Sequence, residues 1–153
     1  MKSALLALPL LAATFFSAVP ASAATNVQAS GSVISTIDNL TPISTQGDVF
    51  TFDLTLSAAF TGTFRGTSLA VNRCVEQLST GEAHCTGPEA FTGSVADRTG
   101  TVMFFDTYFF NLKTGAFSGH SSITGGSANV RGVVDFSGVG TTATYSGPLE
   151  FLR

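Results

Sequence analysis

Between Phe50 and Phe60 every second residue is apolar. Phe50, Phe52, Leu54, Leu56, Ala58 and Phe60 fall on one face of an extended chain, and Thr51, Asp53, Thr55 and Ser57 fall on the other. A helix would scatter both sets around its axis, so this alternation selects β-structure, and no other stretch shows a convincing helical period. Strand-like runs also cover Val27 to Ile37, Thr67 to Glu76, Ala83 to Val95, Thr101 to Leu112, Ala116 to Thr124, Val130 to Gly138 and Thr141 to Leu152. Asp38 to Gly47, with Pro42, reads as a loop. The other breaks carry turn chemistry: Asp97-Arg98-Thr99-Gly100, Lys113-Thr114-Gly115, Gly125-Gly126 and Gly138-Val139-Gly140. Eight strands in sequence, joined mostly by short turns, predict an all-β fold: an antiparallel up-and-down meander closed into an eight-stranded barrel. Closure removes the sheet edges that so Thr- and Phe-rich a chain would otherwise expose.

The N-terminus has a different character. Lys2, an apolar run from Ala4 to Val19 and the small residues Pro20-Ala21-Ser22-Ala23 have the layout of a secretion signal over residues 1–23. The run is too short for a transmembrane helix. Residues 24–153 then form a single domain, about 130 residues being enough for one core and too few for two. Expected localisation is secreted, either extracellular or periplasmic. Beyond the leader only one lysine remains, Lys113, with no basic cluster, which argues against a nucleic-acid partner.

Cys74 and Cys85 are the only cysteines. Outside the cytosol they should be joined. A hairpin centred between Ser79 and Thr80 sets them directly opposite each other, where a bridge pins the register. Ten intervening residues do not fit a redox motif, and no second pair completes a zinc site. The two histidines, His84 and His120, have no ligand spacing, so no metal is expected, and no nucleotide or phosphate motif calls for a cofactor.

An aromatic, a hydroxyl residue and a glycine recur as Phe60-Thr61-Gly62, Phe91-Thr92-Gly93, Phe117-Ser118-Gly119, Phe136-Ser137-Gly138 and Tyr145-Ser146-Gly147. Such glycines mark the sharp bends of a tight barrel, each covered by a neighbouring ring, unless Gly and Thr are merely abundant. From Gly87-Pro88-Glu89-Ala90-Phe91-Thr92-Gly93-Ser94-Val95 through Arg98-Thr99-Gly100-Thr101-Val102, the chain resembles an uncharacterised domain-of-unknown-function family of small barrels. Thr61-Gly62-Thr63-Phe64-Arg65-Gly66, Thr124-Gly125 and Val130-Arg131-Gly132 are similar to its other signatures, so the resemblance spans roughly Ala29 to Phe151. It implies an allene-oxide-cyclase-like eight-stranded barrel. Asp106 stands where that family tends to have a histidine, and the cysteine pair is outside its pattern.

A two-residue turn at Arg98-Thr99 would oppose Val95 to Val102, Phe91 to Asp106 and Glu89 to Tyr108. One face of this hairpin then carries Phe91, Val95, Val102, Phe104, Tyr108 and Phe110, with Glu89 and Asp106 as diagonal neighbours among them. Two carboxyls in an apolar lumen raise each other's protonation and form an acid–base pair, with Tyr108 as a hydrogen-bond donor. Phe91, Phe104, Phe110 and Arg131 are the expected ligand contacts. The opposing reading is a structural polar network in which Arg65 or Arg131 neutralises the acids. The disulfide register sets Ser68, Ala70 and Asn72 beside Glu89 and turns Leu69, Val71 and Val75 away. Either small residues leave space in the lumen, or a bulge at Gly87-Pro88 reverses the facing.

Three functions fit these residues. The first is a secreted barrel binding a small apolar ligand in its lumen. The second is an enzyme of the cyclase or isomerase type, which the fold resemblance implies. The third is a structural protein whose lumen the phenylalanines fill. An enclosed cavity well below about 300 Å3 would leave only the third. Phe105 and Phe109 on the outer face point to a homo-oligomer or a covering segment.

Overall fold

A computed structural model describes residues 25–153; the expected leader lies outside the described residues. The chain forms eight strands: β1 (Thr25–Gln46), β2 (Val49–Gly62), β3 (Phe64–Gln77), β4 (Glu82–Val95), β5 (Arg98–Asn111), β6 (Ala116–Gly125), β7 (Val130–Val139) and β8 (Thr142–Phe151). Each pairs antiparallel with the next in sequence, and β1 also pairs with β8, so the meander closes on itself in a ring of hydrogen bonds. The period-two pattern explains the burial. On β3 every even-numbered residue from Ser68 to Glu76 is buried and every odd one exposed.

Two local expectations are corrected. Asp38–Gly47 is not a loop, because β1 runs on to Gln46, paired with β2 through irregularities between Ile37 and Asn39 and between Pro42 and Ser44. β8 pairs with β1 only from Thr25 to Ile34, so Pro42 lies where one side of β1 has no strand partner. A strand stretch with one open side is where a proline is tolerated. The β4–β5 turn is Ala96-Asp97, not Arg98-Thr99, with Val95 opposite Arg98 and Phe91 opposite Val102. Ala96 supplies the turn at φ +54°, a backbone state for which glycine is the usual signal. Gly100, which suggested the later turn, is instead a strand residue pressed against the β6–β7 connection. A Cβ there would come within 2.7 Å of Ser127 Oγ.

Cys74 and Cys85 are bonded and paired across β3 and β4, with both side chains fully buried. The same register holds from Phe64 opposite Val95 to Ala70 opposite Glu89 and again from Arg73 opposite Thr86 to Gln77 opposite Glu82, so no register shift occurs at Gly87-Pro88, although the ladder is interrupted there.

One part of the core gathers Phe64, Phe91, Val95, Val102, Phe104, Val134, Tyr145 and Leu149; a second groups Phe52, Leu54, Ala83, Tyr108 and the disulfide. Phe64 is the hub of the first, its ring edge-on to Phe91, Phe104 and Tyr145 at 5.5, 5.5 and 5.6 Å. A fully buried phenylalanine contributes about 3 kcal/mol by removal from water alone. Tyr145 also ties strands together. Its hydroxyl accepts from Phe64 N–H at 2.9 Å and donates to the Thr61 carbonyl at 2.8 Å. The phenol lies directly over Gly31, where a Cβ would meet its oxygen at 2.3 Å. The bare backbone of Gly31 is what lets the ring reach across.

Candidate functional site

The inward faces of β3, β4, β5 and β6 place one polar cluster on the wall of the lumen. β4 supplies Glu89 and β5 supplies Asp106 and Tyr108, all less than 9% exposed. Although the turn differs from the expected one, every cross-strand partner moved by an even number of residues. The facing is therefore kept, and Glu89 and Asp106 remain diagonal neighbours. Ser68 Oγ donates to Glu89 Oε1, and Ser121 Oγ donates to Asp106 Oδ1 at 2.7 Å. Asn72 Nδ2 donates to the Tyr108 hydroxyl at 3.2 Å, while Asn72 Oδ1 is buried with no hydrogen-bond partner.

Burial is the main force on these acids. Desolvation, then the charge of Asp106, pushes Glu89 up to about 8. Desolvation also pushes Asp106 up, to about 6, against hydrogen bonds from Ser121 and Glu89 and a weaker pull from His120. The two carboxyls interact directly, so they lose their protons in two separate steps and the pair holds one proton between them. Burial raises the Tyr108 phenol to about 12.

These groups border a cavity of about 140 Å3. Its walls include Leu54, Leu56, Phe60, Phe104, Phe110, Phe117, Val134 and Phe136, and its lining extends to the exposed Ile37 and Thr141 at one end. The expected threshold is thus met in volume but not in enclosure. Space exists because β3 presents Ala70 and Asn72 to the cavity, while Leu69, Val71 and Val75 stand outside at 53, 48 and 46% exposure.

Two expected ligand residues are elsewhere. Arg131 lies on the outer face of β7, 63% exposed, bound to Glu150 at 2.6 Å. Alternation explains it, since Val130 beside it points inward. Phe91 is buried in the aromatic packing around Phe64 and does not border the cavity. Arg65, the other cation considered for neutralising the acids, is exposed and donates to the Ala96 carbonyl at 3.4 Å. Among the described residues, no lysine, arginine or histidine borders the cavity. His84 and His120 are both exposed, and no cluster of metal-ligating side chains occurs among the described residues. Ser121, opposite Asp106 on β6, escaped sequence reasoning; the pairing of β6 against β5 was the information that would have found it.

No family model matches the sequence, and no curated protein does. Among solved structures, the chain is similar to a protein of unknown function from the DUF3224 family of Shewanella oneidensis MR-1. The match has a TM-score of 0.61 and 17% identity, and covers 86% of this chain and all of that one. Likeness at that identity shows the fold.

Proposed function

We propose that the protein is a secreted barrel of the allene-oxide-cyclase-like kind that binds a small, mainly apolar molecule in its lumen. The observation that carries this reading is an apolar cavity, open at one end, with a carboxyl pair in its wall that no cation lining the cavity neutralises. A protein that needed only a filled barrel would gain nothing from two desolvated acids, which oppose folding wherever they ionise. The volume sets the size of the guest. An apolar cavity of about 150 Å3 accommodates benzene, so the enclosed part of the ligand is about one ring, with any remainder leaving past Ile37 and Thr141.

The test is a titration with toluene followed by NMR of the Leu56 and Val134 methyl groups, beside native mass spectrometry of protein from its natural source. Saturable shifts in those methyls support the reading. No shift, with no co-purifying molecule, leaves the filled structural barrel.

A second reading rests on the same pair. One proton held between Glu89 and Asp106 is the arrangement that a cyclase or isomerase would use to donate and recover a proton. Once a ligand is known, Glu89→Gln and Asp106→Asn should each slow its conversion; unchanged rates in both would discard this chemistry.

A further inference from the structure

The polar groups on the cavity wall do not balance in charge. Four donor groups border the pair. The Ser68 and Ser121 hydroxyls are used on Glu89 Oε1 and Asp106 Oδ1, and the Asn72 amide is used on Tyr108. That leaves the Tyr108 O–H and the second N–H of the Asn72 amide. On the acceptor side stand Glu89 Oε2, Asp106 Oδ2 and Asn72 Oδ1, the last recorded as buried without a partner. With one proton held on the acid pair, spare donors and spare oxygens match in number, but none of those donors carries a positive charge. Asn72, Glu89, Asp106, Tyr108 and Ser121 line the same cavity, and among the described residues no cation lines it with them. The negative charge of the pair therefore has no partner in the cavity wall.

We propose that the polar head of the bound molecule is a protonated amine, seated between Glu89 and Asp106 with its hydrocarbon ring against Phe104, Phe110 and Phe136. This rests on the reading of the lumen as a binding cavity and names the class of ligand. An ammonium group brings only donors, and it brings the positive charge that the pair lacks. Its hydrogen bond to the ionised carboxylate of the pair would be charge-assisted and about twice as strong as a neutral one. The aromatic walls add attraction for a cation held near their faces. A carboxylate ligand would place a further negative charge beside two acids in a poorly solvated site, so the same geometry rejects it. An alcohol satisfies one acceptor and leaves the charge uncompensated.

The experiment compares three probes of nearly equal shape at neutral pH: benzylamine, benzyl alcohol and toluene. Binding is read from the Leu56 and Val134 methyl shifts. Benzylamine should bind at least tenfold more tightly than either of the others. In the Glu89→Gln/Asp106→Asn double variant its advantage over toluene should disappear while toluene binding remains, which also shows that the variant folds. Toluene binding with no preference for benzylamine overturns the amine and leaves the apolar cavity standing. Benzyl alcohol equal to benzylamine, or an amine preference that survives in the double variant, overturns it as well. Failure of all three probes to bind the native protein overturns the binding reading itself.

Discussion

Glu89 and Asp106 are diagonal partners across β4 and β5: Glu89 stands opposite Phe104, and Asp106 stands opposite Gly87. Both carboxyls are raised above their ordinary values of 4.5 and 3.8. The native state therefore holds protons that the unfolded chain has released, and stability must fall as pH rises through that interval. Other titratable groups near the pair are Tyr108 on β5 and the outward-facing His120 on β6, with Glu76 two inward positions beyond Asn72 on β3. Urea unfolding should show stability declining from about pH 4 to about pH 8, where Glu89 has ionised, and flattening above it. Glu89→Gln should remove most of that slope. A stability rising with pH over this range would contradict the burial of the pair.

Tyr145 predicts a second measurement. Its hydroxyl is the acceptor for the buried Phe64 N–H, so Tyr145→Phe keeps the ring packing and strands that amide. The expected loss is about 1–3 kcal/mol, the cost of an unsatisfied buried donor, read from the urea midpoint at unchanged slope. A loss near zero would mean that the phenol is not the partner of Phe64.

Gly87 sits beside Asn72 in the wall of the lumen. A Cβ there would lie 2.3 Å from the Val71 carbonyl oxygen and 2.6 Å from Asn72 Oδ1, and the first of these is backbone that cannot swing away. Gly87→Ala should cost on the order of 1–3 kcal/mol through overpacking and displace the Asn72 amide from Tyr108. Calorimetry and the Tyr108 ring resonances would register the two effects separately.

On the outside, three cross-strand rows over β3, β4 and β5 are largely apolar: Leu69, Ala90 and Met103; Val71, Pro88 and Phe105; Val75, His84 and Phe109. Phe105 and Phe109 are 46% and 64% exposed. A patch of this kind favours self-association. Sedimentation should show a concentration-dependent increase in mass that Phe105→Ser/Phe109→Ser abolishes. A monomer at every concentration would remove the oligomer expectation.

Much of this molecule was legible in the sequence because a strand's period of two leaves little freedom. Once Leu54 faces inward, Phe52 and Leu56 do too, and the Cys74–Cys85 pair fixes β3 against β4. The acids were legible for the same reason, since a register error of an even number of residues leaves Glu89 and Asp106 on the same face. The charge of Arg131 suits a partner for the acids, but the inward facing of Val130 turns Arg131 to the outer face. Asp38–Gly47 was misread because Pro42 excludes a paired N–H and not a strand, and only the extent of β8 shows that β1 has a free side there. Cavity volume depends on how twelve phenylalanines pack in three dimensions, which no one-dimensional pattern encodes.

The β4–β5 turn offers a direct check on the register that carries the site. With Ala96 at φ +54° in a two-residue loop, a β-branched side chain at that position is strained, whereas glycine is at ease. Ala96→Val should therefore lower stability by about 1–2 kcal/mol, while Ala96→Gly should be close to neutral, its relief of strain offset by the greater freedom of the unfolded chain. Were the turn at Arg98-Thr99 instead, residue 96 would lie within a strand, where valine is favoured over alanine and glycine is disfavoured. The order of the three urea midpoints thus separates the two registers: glycine and alanine above valine for the turn at Ala96-Asp97, and valine highest for the alternative. The second order would also move Asp106 from opposite Gly87 to opposite Phe91, and with it the serine and asparagine partners that define the cavity wall.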